Sequence, residues 1–128
     1  MKDFWRLEAG KQARELNEWV HALVDSYPAL GSQRLSAQMR QTGTEVACNI
    51  ARSCGSADNE GVERWYCNLA LGALASLDYM VFLADDLRLI PHGCAKRFVV
   101  MKAALQERLC AMVKEEQLEE RAAPALVQ

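Results

Sequence analysis

Between Trp65 and Ala84, sixteen of twenty residues are apolar, and the exceptions are Asn68, Gly72, Ser76 and Asp78. A helix packed in a small domain needs one apolar stripe, and this stretch carries two. Leu69, Ala73, Ser76, Met80, Leu83 and Leu87 recur at helical spacing and read as the core stripe. Leu71, Leu74, Ala75, Asp78 and Phe82 form a second stripe on the other side. A helix apolar all round is covered on several sides or sits in a membrane. A membrane span needs about 18 apolar residues with few charges. Asp78 near its middle would cost about 3 kcal/mol there. Asp85 and Asp86 at one end, without a lysine cluster, give no orientation signal. The second stripe therefore points to a subunit contact, because one bundle core cannot cover both faces. Leu71, Leu74, Ala75, Asp78 and Phe82 are the expected oligomer interface. A buried Asp78 then needs a donor, with Arg40 the first candidate and Arg64 or a tyrosine hydroxyl the second.

Helical spacing extends through the chain. Ala13, Leu16, Val20, Leu23 and Tyr27 make one stripe, and Leu35, Met39, Thr42, Val46, Ile50 and Ser53 another. A last stripe holds Phe98, Met101, Leu105, Leu109 and Met112. Pro28 disfavours helix at Tyr27, Ser32 suits an N-cap, and Gly55 suits a C-terminal stop. Glu60 and Glu63 fall in a first turn, where the helix dipole favours them. The chain breaks at Ile90-Pro91-His92-Gly93. Helices are expected over 9–26, 33–54, 58–89 and 94–118, with no strand. Short connections make sequential helices antiparallel neighbours, so the expected fold is all-α, an up-down-up-down four-helix bundle. It fills one domain, residues 1–120, and residues 121–128 around Pro124 are expected to fray.

Chemistry-bearing patterns are sparse. Di-iron bundles need two Glu-x-x-His motifs, and this chain has one, Glu18-Trp19-Val20-His21, better read as a solvated face. His92 and Cys94 lack further ligands at zinc spacing. The glycines form neither G-x-x-x-x-G-K nor G-x-G-x-x-G. A Cys–His nucleophilic pair has no local signature. Cysteines 48, 54, 67, 94 and 110 are odd in number, without C-x-x-C, and read as reduced thiols of a cytoplasmic protein. The N-terminal stretch has no apolar run suited to a signal peptide. No metal, cofactor or catalytic residue is expected.

The formal net charge is −2 at pH 7, so no global basic field draws nucleic acid. Residues 28–55 lean most basic, through Arg34, Arg40 and Arg52 against Glu45. Three arginines are few for a phosphate-tracking surface. Asn49, beside Ile50 at the edge of its stripe, must find partners or cost about 1–3 kcal/mol. It reads first as structural and second as a ligand contact.

Several short motifs, in order, resemble the bacterial proteins named for intervening sequences of 23S rRNA genes. Lys2-Asp3-Phe4 followed by Leu7 is similar to that family's opening, and Ser26-Tyr27-Pro28 to its S-F-P. Leu35-Ser36-Ala37-Gln38-Met39-Arg40 resembles L-T-S-Q-L-R, and Cys48-Asn49-Ile50-Ala51 resembles (A/S)-N-I-A. Leu69-Ala70-Leu71-Gly72-Ala73-Leu74 is similar to I-A-x-G-S-L; Leu77-Asp78-Tyr79 and Leu83-Ala84-Asp85-Asp86-Leu87 continue it. The resemblance spans residues 2–112. The family usually has arginine at Gln41, proline at Ala47, and glutamate at Arg52 and Ser76. Arg40, Asn49 and Asp78 are the polar members retained, and they form the candidate polar site. The resemblance implies an antiparallel bundle assembling as a homopentamer, with no enzymatic activity to carry over. Related accessory proteins of diversity-generating retroelements bind nucleic acid and a reverse transcriptase, but look basic.

The expected function is a non-enzymatic oligomeric scaffold or binding module, with itself as first partner. The alternative is a nucleic-acid-associated accessory protein using a symmetric ring of second-helix arginines. A third, an enzyme with an intersubunit site, would be marked by a ligand beside Asn49 or His21.

Overall fold

In the computed structural model the backbone is described for residues 2–127, and side chains for 2–115 and Leu118. Among the described residues there are five helices and no strand: α1 (Glu8–Ser26), α2 (Pro28–Gly31), α3 (Arg34–Gly55), α4 (Glu60–Asp86) and α5 (His92–Val127). The long helices match the four expected. α2 is the addition: a single turn starting at Pro28, whose fixed φ suits the first helical position. It drives Leu30 fully into the interior. α5 runs on past 118 through Pro124, in a stretch rich in alanine and glutamate that favours helix. The expected fraying of 121–128 concerns residues whose side chains lie outside those described.

The caps differ from expectation in detail. Gln33, not Ser32, precedes α3 and makes no side-chain cap. Ser32 instead donates to the Ala29 carbonyl, and Ser36 donates to the Gln33 carbonyl at 2.7 Å. α4 starts two residues late, where Asn59 Oδ1 accepts from the Val62 amide at 3.1 Å. It ends early because Leu89 N–H reaches back to the Ala84 carbonyl and Arg88 N–H to Asp85. That crossed pair closes a helix through a left-handed residue, normally glycine. Here the residue is Arg88, at φ 59°.

α1 packs on α3 and α5, and α4 packs on the same two. Each helix presents the stripe read from its spacing, except α4. Its interior residues are Cys67, Ala70, Leu74, Leu77, Val81 and Ala84, with Glu63 at the start. They lie between the two stripes drawn from the sequence. Leu69 is exposed and Ala73 and Met80 are half-buried, so the first stripe is a flank facing α3. Phe82 and Ala75 are exposed, and the second stripe is a flank facing α5. Leu74 is the correction within that second stripe: at 1% exposure it belongs to the interior. The cause is size. Cys67, Ala70 and Ala84 let the backbones approach, and the bulky residues move aside.

The N-terminal segment closes one end. Phe4 crosses over α1 so closely that a Cβ on Gly10 would lie 2.0 Å from the Phe4 carbonyl oxygen. Lys2 Nζ pairs with Glu63, which is only 3% exposed. Arg14 sits over the Trp5 ring at 5.0 Å.

Gly10→Ala should cost about 1–3 kcal/mol in urea unfolding, since the added methyl must push the Phe4 backbone away. Arg88→Gly should gain about 0.5–1 kcal/mol in the same measurement, because glycine enters the left-handed region without the Cβ clash.

Candidate functional site

Because the α4 interior stripe is flanked by apolar residues on both sides, each flank opens on a cleft. The first is an open groove of about 500 Å³ between α3 and α4. Gln41, Thr42, Glu45, Asn49 and Arg52 line its α3 wall; Trp65, Tyr66, Leu69, Ala73, Ser76 and Met80 line the other. One wall is thus polar and the other apolar. Gln41, Arg52 and Ser76 all face this cleft.

Asn49 is its most buried polar group, at 6% exposure. Its Oδ1 accepts from Arg52 Nη1 at 3.0 Å, one turn along α3. Arg52 also reaches Glu45 Oε2 at 3.3 Å. The guanidinium thus fixes the Asn49 amide with its oxygen toward Arg52 and its nitrogen turned away.

The second cleft, about 260 Å³, lies between α4 and the start of α5. Val81, Phe82, Phe98 and Val99 form its apolar surface, and Asp78, Asp85, His92 and Lys96 its rim. Asp78 is half-buried and pairs with Lys102 Nζ at 3.4 Å. Its donor therefore comes from α5 of the same chain, in place of the expected Arg40, Arg64 or a tyrosine. Lys102 is near in space because α4 and α5 pack side by side, which spacing within one helix cannot reveal. His92 Nδ1 meets Asp85 Oδ2 at 2.9 Å across the turn joining the two helices.

The candidate polar site does not converge. Arg40 pairs with Asp25 of α1 and borders a third, shallow cleft with His21 and Thr44. Asn49 faces the first cleft and Asp78 the second. His21 turns Nδ1 to the Asn17 carbonyl of its own helix at 2.9 Å. Among the described residues no three His, Cys, Asp or Glu side chains cluster as metal ligands. All five cysteines are free thiols. Burial pushes the Cys54 thiol up from its ordinary value. The Tyr27 hydroxyl is pushed up mainly by its hydrogen bond with Cys94, whose Sγ lies 3.7 Å away.

Sequence reasoning missed Trp65 and Tyr66 as cleft residues. They stood inside the apolar run and counted only toward its hydrophobicity. It also missed the burial of Glu63, whose partner Lys2 lies 61 positions away. Among the described residues α4 is the one helix long and apolar enough, by length and composition, to cross a membrane. In this structure its central stripe packs against α3 and α5.

No curated protein matches the chain. It is similar to a solved structure from Bacteroides thetaiotaomicron, described as a protein with unknown function from the S23 ribosomal protein family. The TM-score is 0.70 at 17% identity, over 84% of this chain and 99% of that one, which is a likeness of fold. The sequence profile of the 23S rRNA-intervening sequence proteins matches residues 6–111. That span takes in α1 to α4 whole and α5 as far as residue 111, and by it this chain belongs to the 23S rRNA-intervening sequence protein family.

Proposed function

We propose that this protein is a non-enzymatic, cytoplasmic scaffold or binding module, a four-helix bundle of up-down-up-down order that assembles with copies of itself. One observation carries the proposal: the α4–α5 flank is apolar and uncovered. Phe82 is 59% exposed and Val99 56% exposed, side by side at the second cleft. Tyr79 lies beside Phe82, their ring centroids 6.3 Å apart, and is equally open. Contiguous exposed apolar surface of this kind marks association sites. Leu71, Ala75, Asp78 and Phe82 are the assembly residues, and Leu74 supports them from the interior. Five subunits is the number implied by the family resemblance. Free thiols support a reducing compartment.

The arginine-ring alternative draws little support from the geometry. Arg40 and Arg52 are each engaged by a carboxylate, Asp25 and Glu45. Those pairs offset the positive charge that a phosphate-tracking surface needs.

Phe82→Glu should keep its helical circular dichroism and lower the solution mass by light scattering, because the charge is stranded only in the assembled contact. An unchanged mass would refute the α4–α5 assembly face. Leu74→Glu should instead unfold the chain, since it puts a carboxylate in the interior. At about 0.15 M salt, generic RNA and DNA duplexes should show little or no binding by fluorescence anisotropy. Micromolar binding that weakens steeply with salt would promote the nucleic-acid alternative.

A further inference from the structure

We propose that residues 2–7 form a strap that lifts from the packed helices as a unit, latched by Lys2 on the buried carboxylate of Glu63, and that its lifting uncovers the Cys54 thiol. The strap lies where α3 stops and α4 starts. It stands apart from the assembly face: Glu63 and Phe82 are about 28 Å apart along α4 at about 1.5 Å per residue.

The strap is built to move as one piece. Asp3 organises it: its Oδ1 accepts from the Trp5 amide at 3.0 Å, and its carbonyl accepts from the Arg6 and Leu7 amides at 3.1 and 2.9 Å. These bonds start and end inside the strap, so lifting it breaks none of them. Leu7, extended at φ −66° and ψ 134°, joins it to α1 and gives the hinge. Phe4 and Leu7 are only half-buried, and Lys2, Asp3, Trp5 and Arg6 are exposed. A segment with so little buried apolar surface opens at a lower free energy than the core behind it.

The latch is unequal. The Lys2 side chain is 42% exposed and the Glu63 side chain 4%. On opening, the ammonium returns to water at little cost, while the carboxylate loses its cation at a buried position. What holds the strap down is therefore the need of Glu63 for Lys2. The strap borders the same groove as Ala51, Cys54 and Gly55 of α3, and there Cys54 is only 2% exposed. Burial pushes its thiol up, and Lys2 draws it partly back. Cys67 is placed differently, fully buried in α4. Ser53 Oγ lies 3.1 Å from its Sγ and donates to the Glu63 carbonyl at 3.0 Å, so Cys67 stays covered when the strap lifts.

The test is labelling of the native protein with N-ethylmaleimide, each cysteine followed separately by peptide mass spectrometry. In the wild type Cys54 should react more slowly than exposed Cys110 and faster than Cys67. Low urea should leave the Cys54 rate nearly flat, because lifting the strap exposes little surface. Lys2→Met strands the Glu63 carboxylate and should speed Cys54 about tenfold or more, with Cys67 within about twofold of its wild-type rate. The sign discriminates: with the strap still closed, losing the Lys2 charge would raise the Cys54 thiol further and slow its reaction. Lys2→Met combined with Glu63→Gln strands no charge and should return most of the way to the wild-type rate. Lys11→Met, on the exposed side of α1, is the control and should stay within about twofold. A slower or unchanged Cys54 in Lys2→Met would overturn the proposal. So would equal acceleration of Cys54 and Cys67, or a wild-type Cys54 rate that climbs with urea as steeply as that of Cys67, since either marks unfolding of the whole chain. A double variant as fast as Lys2→Met would overturn the latch, because lost packing at Lys2 would then account for the change.

Discussion

The close packing of α4 on α3 and α5 through small side chains sets most other features of this molecule. Cys67, Ala70 and Ala84 are fully buried and short, and between them Leu74, Leu77 and Val81 fill the space reached from α3 and α5. Each buried Leu or Val is worth about 1.5–3 kcal/mol, so this one stripe is a large share of a small domain's stability. The helix has more apolar surface than that stripe can use. The excess is split into two flanks, and each flank becomes the wall of a cleft.

Charges do a different job. Arg40–Asp25, Arg52–Glu45 and Lys102–Asp78 are all partly exposed pairs. Such pairs contribute about 0.2–1 kcal/mol each and chiefly hold side chains in place. In the first cleft Arg52 holds the Asn49 carboxamide oxygen as well as the Glu45 carboxylate. Glu63 differs because it is buried, and Lys2 is what makes its burial tolerable. The N-terminal segment is thereby tied to the start of α4 as well as to Gly10.

The two flanks differ in form. The α5 side has Phe82 and Val99 standing out, with polar groups at the rim, a form suited to a flat contact with another copy. The α3 side is an open trough with one polar and one apolar wall.

The sequence by itself determined that the chain is helical, where four of its helices lie, and the inward stripes of α1, α3 and α5. Those stripes are unambiguous because each has a polar face to contrast with an apolar one. It determined that α4 carries more apolar surface than one core needs. It also pointed to the family whose profile matches residues 6–111. It could not determine the rotation of α4. Sixteen apolar residues in twenty leave no polar face to fix the phase, so both stripes drawn were one flank away from the truth. Only the packing of α3 and α5 selected Cys67, Ala70, Leu74, Leu77, Val81 and Ala84 for the interior. Tertiary structure likewise decided that Asp78 meets Lys102, that Glu63 meets Lys2, and that Arg40, Asn49 and Asp78 face three different clefts. Those partners lie on separate segments, and side-chain pairing across segments depends on distances that local periodicity does not encode.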